Sequence, residues 1–185
     1  MRGVLLEVDE RMIAERQRLG LDRFDEIWEG VLHMAPPPKG RHQDLATELA
    51  AELRAAARRA GCRVAVQKGV FATATDYRVP DVVIAPASSE SERGVDGPPL
   101  AIIEVLSPND ESRAKAPWYL GRGAGSVVIV DPDGYAVEVL TDAGPVEPGP
   151  DGLLTIPGLG ARLGPSPGAG ALVVETDEGV VRIEV

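Results

Sequence analysis

Two carboxylates stand in segments that are otherwise typical of buried β-strands. Glu104 lies within the run LAIIEVL, residues 100–106, and Asp81 follows Pro80 and leads into the apolar run VVIA. Burying an unpaired carboxylate is costly, so a cation, a hydrogen-bond network or protonation must stabilise each of them. If the two strands are neighbours in one sheet, both acids can face a single ion.

Lys115 supplies a third group with useful chemistry. It lies eleven residues after Glu104, on the helix predicted to leave that strand, and the chain has only two other lysines. Two carboxylates and a lysine form a set that can hydrolyse phosphodiesters with a hard metal ion. Carboxylate oxygens bind Mg²⁺ or Mn²⁺, the ion lowers the pKa of a bound water, and the lysine orients or deprotonates that water.

Each of these residues also has a purely structural interpretation. Glu104 can bond to backbone groups or to Arg78, Asp81 can end a turn after Pro80, and Lys115 can be a solvated helix residue. Buried ion pairs without a catalytic role do occur in proteins. Spacing alone leaves both interpretations open.

Composition restricts the class of protein. The 185 residues suit one domain, and 44% hydrophobic with 26% charged residues is a globular composition. No apolar run is long enough for a membrane helix or a signal peptide, so a cytoplasmic location is predicted. The single cysteine, Cys62, excludes an internal disulfide, and only two histidines are present. Any metal is therefore expected to be hard and bound by oxygen.

The net charge of −10 argues against a strong nonspecific binder of polyanions. The segment 39–68 differs, because seven basic and three acidic residues give it a net charge of +4. Arg41 and Lys68, together with Arg54 and Arg58, are the residues predicted to contact a nucleic-acid backbone. Arginines that simply complement the end of a helix dipole explain the same pattern equally well.

The order of predicted elements indicates a mixed sheet with helices packed on it, in an α/β or α+β domain. The predicted helices cover 9–18, the stretch through 45–60 that ends at Gly61, and 111–121 with Pro117 inside it. The predicted strands cover 27–34, 62–71, 76–86, 100–106, 126–131 and 135–140, and a hairpin around 177–179 lies within 171–185.

At these same residues the sequence resembles the Uma-type restriction endonucleases, a bacterial branch of the PD-(D/E)XK nuclease superfamily. The resemblance covers roughly residues 24–165, and no single motif in it is diagnostic, but their order is fairly specific. The matching motifs, in order, are EIWEGVL at 26–32, His42, YRVPDVV at 77–83, EVLSP at 104–108, Lys115, Tyr119, Gly123 and Asp131-Pro132.

The resemblance implies a restriction-endonuclease-like α/β core with a mixed central sheet flanked by helices. It assigns Asp81 and Glu104 as ligands of Mg²⁺ or Mn²⁺, with the backbone carbonyl of Val105 as a further ligand. In the wider superfamily the lysine stands two residues after the glutamate, where this chain has Leu106. The resemblance therefore assigns the catalytic lysine to Lys115.

These residues and the resemblance together predict a metal-dependent endonuclease acting on nucleic acid, with DNA as the expected substrate. His42 is expected to contact a phosphate or lie near the metal, or else to be structural. The alternative is a catalytically inactive module that keeps the nuclease fold and binds nucleic acid or protein. A homodimer is expected on the ground that cutting both strands of a duplex often takes two sites.

Residues 1–165 are predicted to form the nuclease-like domain, and 166–185 a C-terminal β-hairpin extension of the same domain. Several other residues are expected to be structural only. Glu26 and Glu29 are taken as a solvated strand edge rather than a third carboxylate, His33 as a strand residue, and Trp28 and Trp118 as core residues.

Overall fold

The computed structural model describes residues 3–5, 9–20, 22, 24–34, 40–108, 111–168 and 170–185. Within them the helices are α1 (Glu10–Arg18), α2 (Gly40–Glu52), α3 (Arg54–Arg59) and α4 (Ser112–Gly121). The strands are β1 (Gly3–Leu5), β2 (Glu26–Trp28), β3 (Val31–Met34), β4 (Cys62–Val66), β5 (Val70–Thr73), β6 (Asp76–Arg78), β7 (Val82–Pro86), β8 (Ala101–Val105), β9 (Val127–Val130), β10 (Val137–Thr141), β11 (Gly144–Pro145), β12 (Leu154–Ile156), β13 (Ala161–Pro165), β14 (Leu172–Thr176) and β15 (Gly179–Ile183).

A mixed sheet of six strands forms the centre of the fold, in the order β11-β10-β9-β8-β7-β4. Strand β8 runs parallel to β9 on one side and antiparallel to β7 on the other. Every residue of β8 and β9 is buried, which explains why both strands are continuous apolar runs rather than alternating ones. The predicted mixed sheet flanked by helices is confirmed.

Helices cover both faces of this sheet. Leu45, Leu49 and Leu53 of the α2–α3 region are fully buried against the face that carries Ile103. Helix α4 packs on the opposite face, where Tyr119 is fully buried. The spacing of three or four residues between the buried leucines is what directs one side of α2 towards the sheet. The predicted long helix is interrupted at Leu53, which separates α2 from α3.

Three predicted strands each form two strands, because a turn interrupts them. The segment 27–34 is a hairpin of β2 and β3, whose turn residues Glu29 and Gly30 both have positive φ angles, as a tight two-residue turn requires. The segment 62–71 breaks at Gln67, which also has a positive φ. The segment 76–86 breaks around Pro80, which has no N–H to donate to a sheet.

These breaks carry the chain between two sheets. Strands β5 and β6 belong to a second sheet of five strands, in the order β1-β3-β2-β6-β5, whereas β4 and β7 belong to the central sheet. The short connection from β6 to β7, through residues 79–81, therefore joins the two sheets. Asp81 lies at this junction.

A third sheet has four antiparallel strands, in the order β12-β13-β14-β15. Strands β14 and β15 form a hairpin in which Thr176 pairs with Gly179, and β14 also pairs with β13. The hairpin thus extends a sheet that begins before residue 166. The boundary at residue 165 between a nuclease-like domain and a C-terminal extension stays a prediction. None of the helices in the described part of the chain has the length and apolar character needed to span a membrane.

The central sheet should contribute most of the stability. We expect Ile103→Ala, at a fully buried position of β8, to lower the free energy of unfolding by about 3 kcal/mol because it leaves a cavity in the core. Val180→Ala, at a position that is 62% exposed, should change it by less than about 0.5 kcal/mol. Urea unfolding measures both, and equal losses would contradict this description of the core.

Candidate active site

The strand pairing brings Asp81 and Glu104 to the same place. Strands β7 and β8 pair Val82 with Ile103, so Asp81, one residue before β7, comes opposite Glu104. Residues directly opposite one another in an antiparallel pair project from the same face of the sheet. The two acids that stood out in the sequence are therefore neighbours rather than members of separate sites.

One oxygen of Asp81 is held by two groups. The backbone N–H of Val105 donates a hydrogen bond to Asp81 Oδ2 at 2.7 Å, in the position where the next rung of the β7–β8 pairing would lie. The Nε2 atom of His42, near the start of α2, is 3.2 Å from the same oxygen. The structure thus places His42 beside the acids.

Glu104 is buried and is paired with Lys115. The Nζ atom of Lys115 lies 2.7 Å from Glu104 Oε1, and the hydroxyl of Tyr119 donates a hydrogen bond to the same oxygen at 2.9 Å. Lys115 and Tyr119 are four residues apart on α4, so they lie on the same side of the helix. The structural alternative that pairs Glu104 with Arg78 is wrong, because Arg78 is paired with Asp76 instead.

Glu26 belongs to the site, although its sequence context predicts a solvated strand edge. It is buried, and its Oε1 atom lies 3.2 Å from Lys115 Nζ and accepts a hydrogen bond from the Val79 backbone at 2.9 Å. Its neighbour Glu29 is exposed, as expected for a turn residue. The EIWEGVL motif includes Glu26, but nothing in the motif shows that β2 pairs with β6 and so lies beside the β6–β7 connection.

Burial dominates the ionisation of the Glu104–Lys115 pair. Loss of solvent raises the pKa of Glu104 to about 8, with the nearby acids Asp81 and Glu26 adding to the rise and Lys115 opposing it. Burial lowers the pKa of Lys115, but the charges of Glu104 and Glu26 outweigh that effect and raise it above its usual range. Lys115 is therefore a fixed ammonium group.

His42 is held partly by charge. Burial alone would lower its pKa, but the hydrogen bond to Asp81, the negative charge of Asp81 and a hydrogen bond to the Val105 backbone together raise it above the usual value. The contact with Asp81 therefore stabilises the protonated imidazole relative to that of a solvated histidine. It also lies against the backbone of Val105, the residue whose carbonyl the resemblance assigns as a metal ligand.

The donor set at this site fits a divalent ion that takes few protein ligands. The contacts described above for Asp81 and Glu104 fall on Oδ2 and Oε1, respectively. Across the described residues, no group of three or more His, Cys, Asp or Glu side chains is placed to hold a metal ion. Mg²⁺ commonly uses one or two carboxylates and completes its shell with water and substrate phosphate.

The basic segment 39–68 reaches the site only in part, and Lys39 lies outside the described residues. Arg41 is next to His42 but contacts Tyr135 and Asp133. Lys68 is paired with Glu90 at 3.0 Å. Arg54 and Arg58 are exposed on α3. The imidazole of His42 contacts the Asp81 carboxylate, and roles for the basic residues of the segment stay predictions.

Core positions are expected for both tryptophans, but neither is fully buried, and Trp118 packs against the edge of the core on the α4 side of the sheet. Trp28 and Trp118 are both half-buried, and the guanidinium of Arg78 lies between their rings. His33, expected to be only a strand residue, stacks on Trp28. The indole of Trp28 also donates a hydrogen bond to Glu26 Oε2 at 2.7 Å. This aromatic group therefore adjoins the carboxylate–lysine cluster.

Comparison with protein families agrees with this geometry. The family model named Uma2 and described as "Putative restriction endonuclease" matches residues 17–162, most of the chain. The chain belongs to the Uma2 family. The resemblance drawn from the sequence motifs is thereby confirmed, and Asp81, Glu104 and Lys115 all lie inside the matched range.

A solved structure shares the fold. A DUF820 protein from Anabaena variabilis ATCC 29413, described as a putative nuclease, aligns with a TM-score of 0.62 and 21% identity over 73% of this chain and 82% of its own. A DrdV–DNA complex aligns with a TM-score of 0.39 and 14% identity over 58% of this chain and 10% of that one. No curated protein sequence matches this chain.

The burial of Glu104 predicts a pH dependence of stability. The pKa of Glu104 is about 8 in the folded chain and near its ordinary value of 4.5 when the chain is unfolded. At a pH between these two values, the folded state therefore binds more protons than the unfolded state. The free energy of unfolding should therefore fall as pH rises from about 4.5 to about 8. Glu104→Gln removes the titrating group and should make this decline shallower in urea unfolding.

The exposed residue Glu92 provides the matched control for this measurement. Glu92→Gln makes the same chemical change away from the cluster and should keep the slope of the unmodified protein. A Glu104→Gln variant with an unchanged slope would show that Glu104 does not titrate in this range.

Proposed function

We propose that this Uma2-family protein is a metal-dependent endonuclease that hydrolyses phosphodiester bonds in DNA. One observation carries the proposal. Asp81, Glu104 and Lys115 meet at one end of the β7–β8 pair, although they come from a junction, a strand and a helix. The lysine that the superfamily has two residues after the glutamate is replaced here by an amine from α4, which reaches Glu104.

Asp81, Glu104 and the carbonyl of Val105 would hold Mg²⁺ or Mn²⁺. A divalent ion bound there would lower the pKa of a coordinated water and neutralise charge on the scissile phosphate. The contacts described above for both residues fall on Asp81 Oδ2 and Glu104 Oε1, so Asp81 Oδ1 and Glu104 Oε2 are the oxygens proposed to face the ion.

Lys115 serves in this proposal as a positioning cation rather than as a base. Because Glu104 and Glu26 raise its pKa, the amine keeps its proton and can donate hydrogen bonds. A fixed ammonium group can orient the attacking water and attract a phosphate oxygen. Glu26 has the supporting role of holding Lys115 through a second ion pair beside the one with Glu104.

His42 is proposed as a contact to the phosphate beside the ion. Its imidazole lies 3.2 Å from Asp81 and has a pKa above the usual value, so it can carry positive charge near the proposed metal ligands. Arg41 and Lys68 are proposed as outer backbone contacts, with their partners Asp133 and Glu90 displaced by DNA.

A plasmid-nicking assay tests the function. With Mg²⁺ or Mn²⁺ the protein should convert supercoiled DNA to the open-circle form, and a chelator should stop the reaction. Asp81→Asn and Glu104→Gln should each lower the rate by about 10²–10³-fold, the size expected when one electrostatic group at the reacting centre is lost.

The controls decide between the enzyme and a non-catalytic module. Glu92→Gln, a carboxylate-to-amide change at an exposed position, should nick at the unmodified rate. Protein that binds DNA without cutting it in either metal would support the inactive binding module. Equal nicking by all four proteins would show that the activity belongs to a contaminant or to another site.

A further inference from the structure

A stack of planar side chains stands beside Lys115 and is not needed to hold a metal. The guanidinium carbon of Arg78 lies 4.6 Å from the ring centre of Trp28 and 4.4 Å from that of Trp118. Trp28 also stacks on His33, with ring centres 4.0 Å apart and an angle of 16° between the planes. We call these four residues the aromatic stack. Because His33 and Arg78 both contact the ring of Trp28, a further planar group can stack only at the two ends, on Trp118 or on His33.

Hydrogen bonds fix the planes of both indoles. The indole N–H of Trp28 donates to Glu26 Oε2 at 2.7 Å, and that of Trp118 donates to Asp76 Oδ2 at 3.0 Å. Asp76 in turn pairs with Arg78 at 2.7 Å. The stack is therefore held rigid before any ligand arrives, which lowers the entropy cost of binding to it.

A cavity of about 560 Å³ opens at the stack. All four members of the stack line it, and Pro117 of α4 forms part of its wall. Both tryptophans are half-buried and so expose part of their surface there. The volume is within the range of pockets that take small organic ligands.

Two links connect the cavity to the proposed catalytic cluster. Glu26 touches Lys115 with Oε1 and Trp28 with Oε2, so a single carboxylate joins the cluster to the stack. Trp118 is three residues after Lys115, about one turn along α4. A group bound against the stack would therefore be linked to the cluster through Glu26 and through α4.

We propose that the aromatic stack binds an unpaired nucleobase of the nucleotide next to the scissile phosphate. This inference rests on the proposed nuclease function and names its substrate class: single-stranded or locally unpaired DNA. Bases stack on tryptophan, histidine and arginine planes regardless of sequence, because every base has a π face. A base in an intact duplex is already stacked and does not enter such a cavity without being unpaired.

The charges in the cavity favour a base over a phosphate. Arg78, the cation in its wall, is already paired with Asp76, and Glu29 contributes a carboxylate to the lining. A phosphate would meet that negative charge, whereas a neutral base is attracted to the flat surfaces of the stack. The phosphate is left to the cluster around Lys115.

Intrinsic fluorescence tests the inference, because the only two tryptophans in the chain both line the cavity. The unmodified protein is titrated in a chelator, where no metal-dependent cutting occurs, with a short single-stranded oligothymidylate. Stacking should quench the fluorescence in a saturable way. A duplex of equal length, and an abasic oligonucleotide with the same phosphates, should each bind at least about tenfold more weakly.

Variants of Trp118 separate stacking from structural support. Trp118→Leu removes a stacking surface. It should weaken the affinity for the oligothymidylate, measured by the quenching of Trp28, about tenfold. Trp118→Phe keeps an aromatic ring and should bind near the unmodified affinity. The unfolding midpoints of both variants are measured alongside, and if Trp118→Leu does not fold, the comparison with the abasic oligonucleotide decides.

The outcomes distinguish this inference from the proposed function. Absent quenching, equal quenching by the abasic strand, or unchanged binding by a folded Trp118→Leu variant would overturn the base site, even if plasmid nicking persists. Saturable, base-dependent quenching supports the site, and if nicking is absent from the same preparation, it is the nuclease activity that fails.

Discussion

The buried contact between the carboxyl group of Glu104 and the amine of Lys115 is the interaction on which the site depends. A carboxylate in a fully buried strand of the central sheet is unfavourable by itself, and the surrounding acids make it more so. Lys115 and the Tyr119 hydroxyl supply the compensating contacts. Replacing a buried ion pair by apolar residues is often neutral or stabilising in other proteins, so the contact between Glu104 and Lys115 is not needed to explain the stability of the fold.

The rest of the fold can be understood as the means of assembling this cluster. Strand β8 presents Glu104, the β6–β7 connection between two sheets presents Asp81, and α4 presents Lys115. Strand β2 of the second sheet adds Glu26. Because the site lies where the two sheets meet, four separate elements contribute to it, and the aromatic stack forms from neighbouring parts of the second sheet and α4 at its edge.

The sequence was informative where a residue contradicted its surroundings. Glu104 and Asp81 were recognised because carboxylates are costly in apolar strands, and the mixed sheet followed from the order of elements. The sequence could not show that 27–34 is a hairpin, because that depends on positive φ angles at two turn residues. Because the sequence does not show that hairpin or the second sheet, it cannot distinguish the buried Glu26 from the exposed Glu29. For the same reason it cannot show that the two tryptophans belong to the aromatic stack rather than to the hydrophobic core.

A crystal structure of the protein soaked with Mn²⁺ tests the central claim most directly. We predict one Mn²⁺ about 2.1 Å from an oxygen of Asp81 and an oxygen of Glu104, with the Val105 carbonyl in its coordination shell. Strong anomalous density elsewhere, or none between these two acids at saturating Mn²⁺, would contradict the proposed metal site. The contact between Glu104 and Lys115 would then be structural, and the site would need another chemistry.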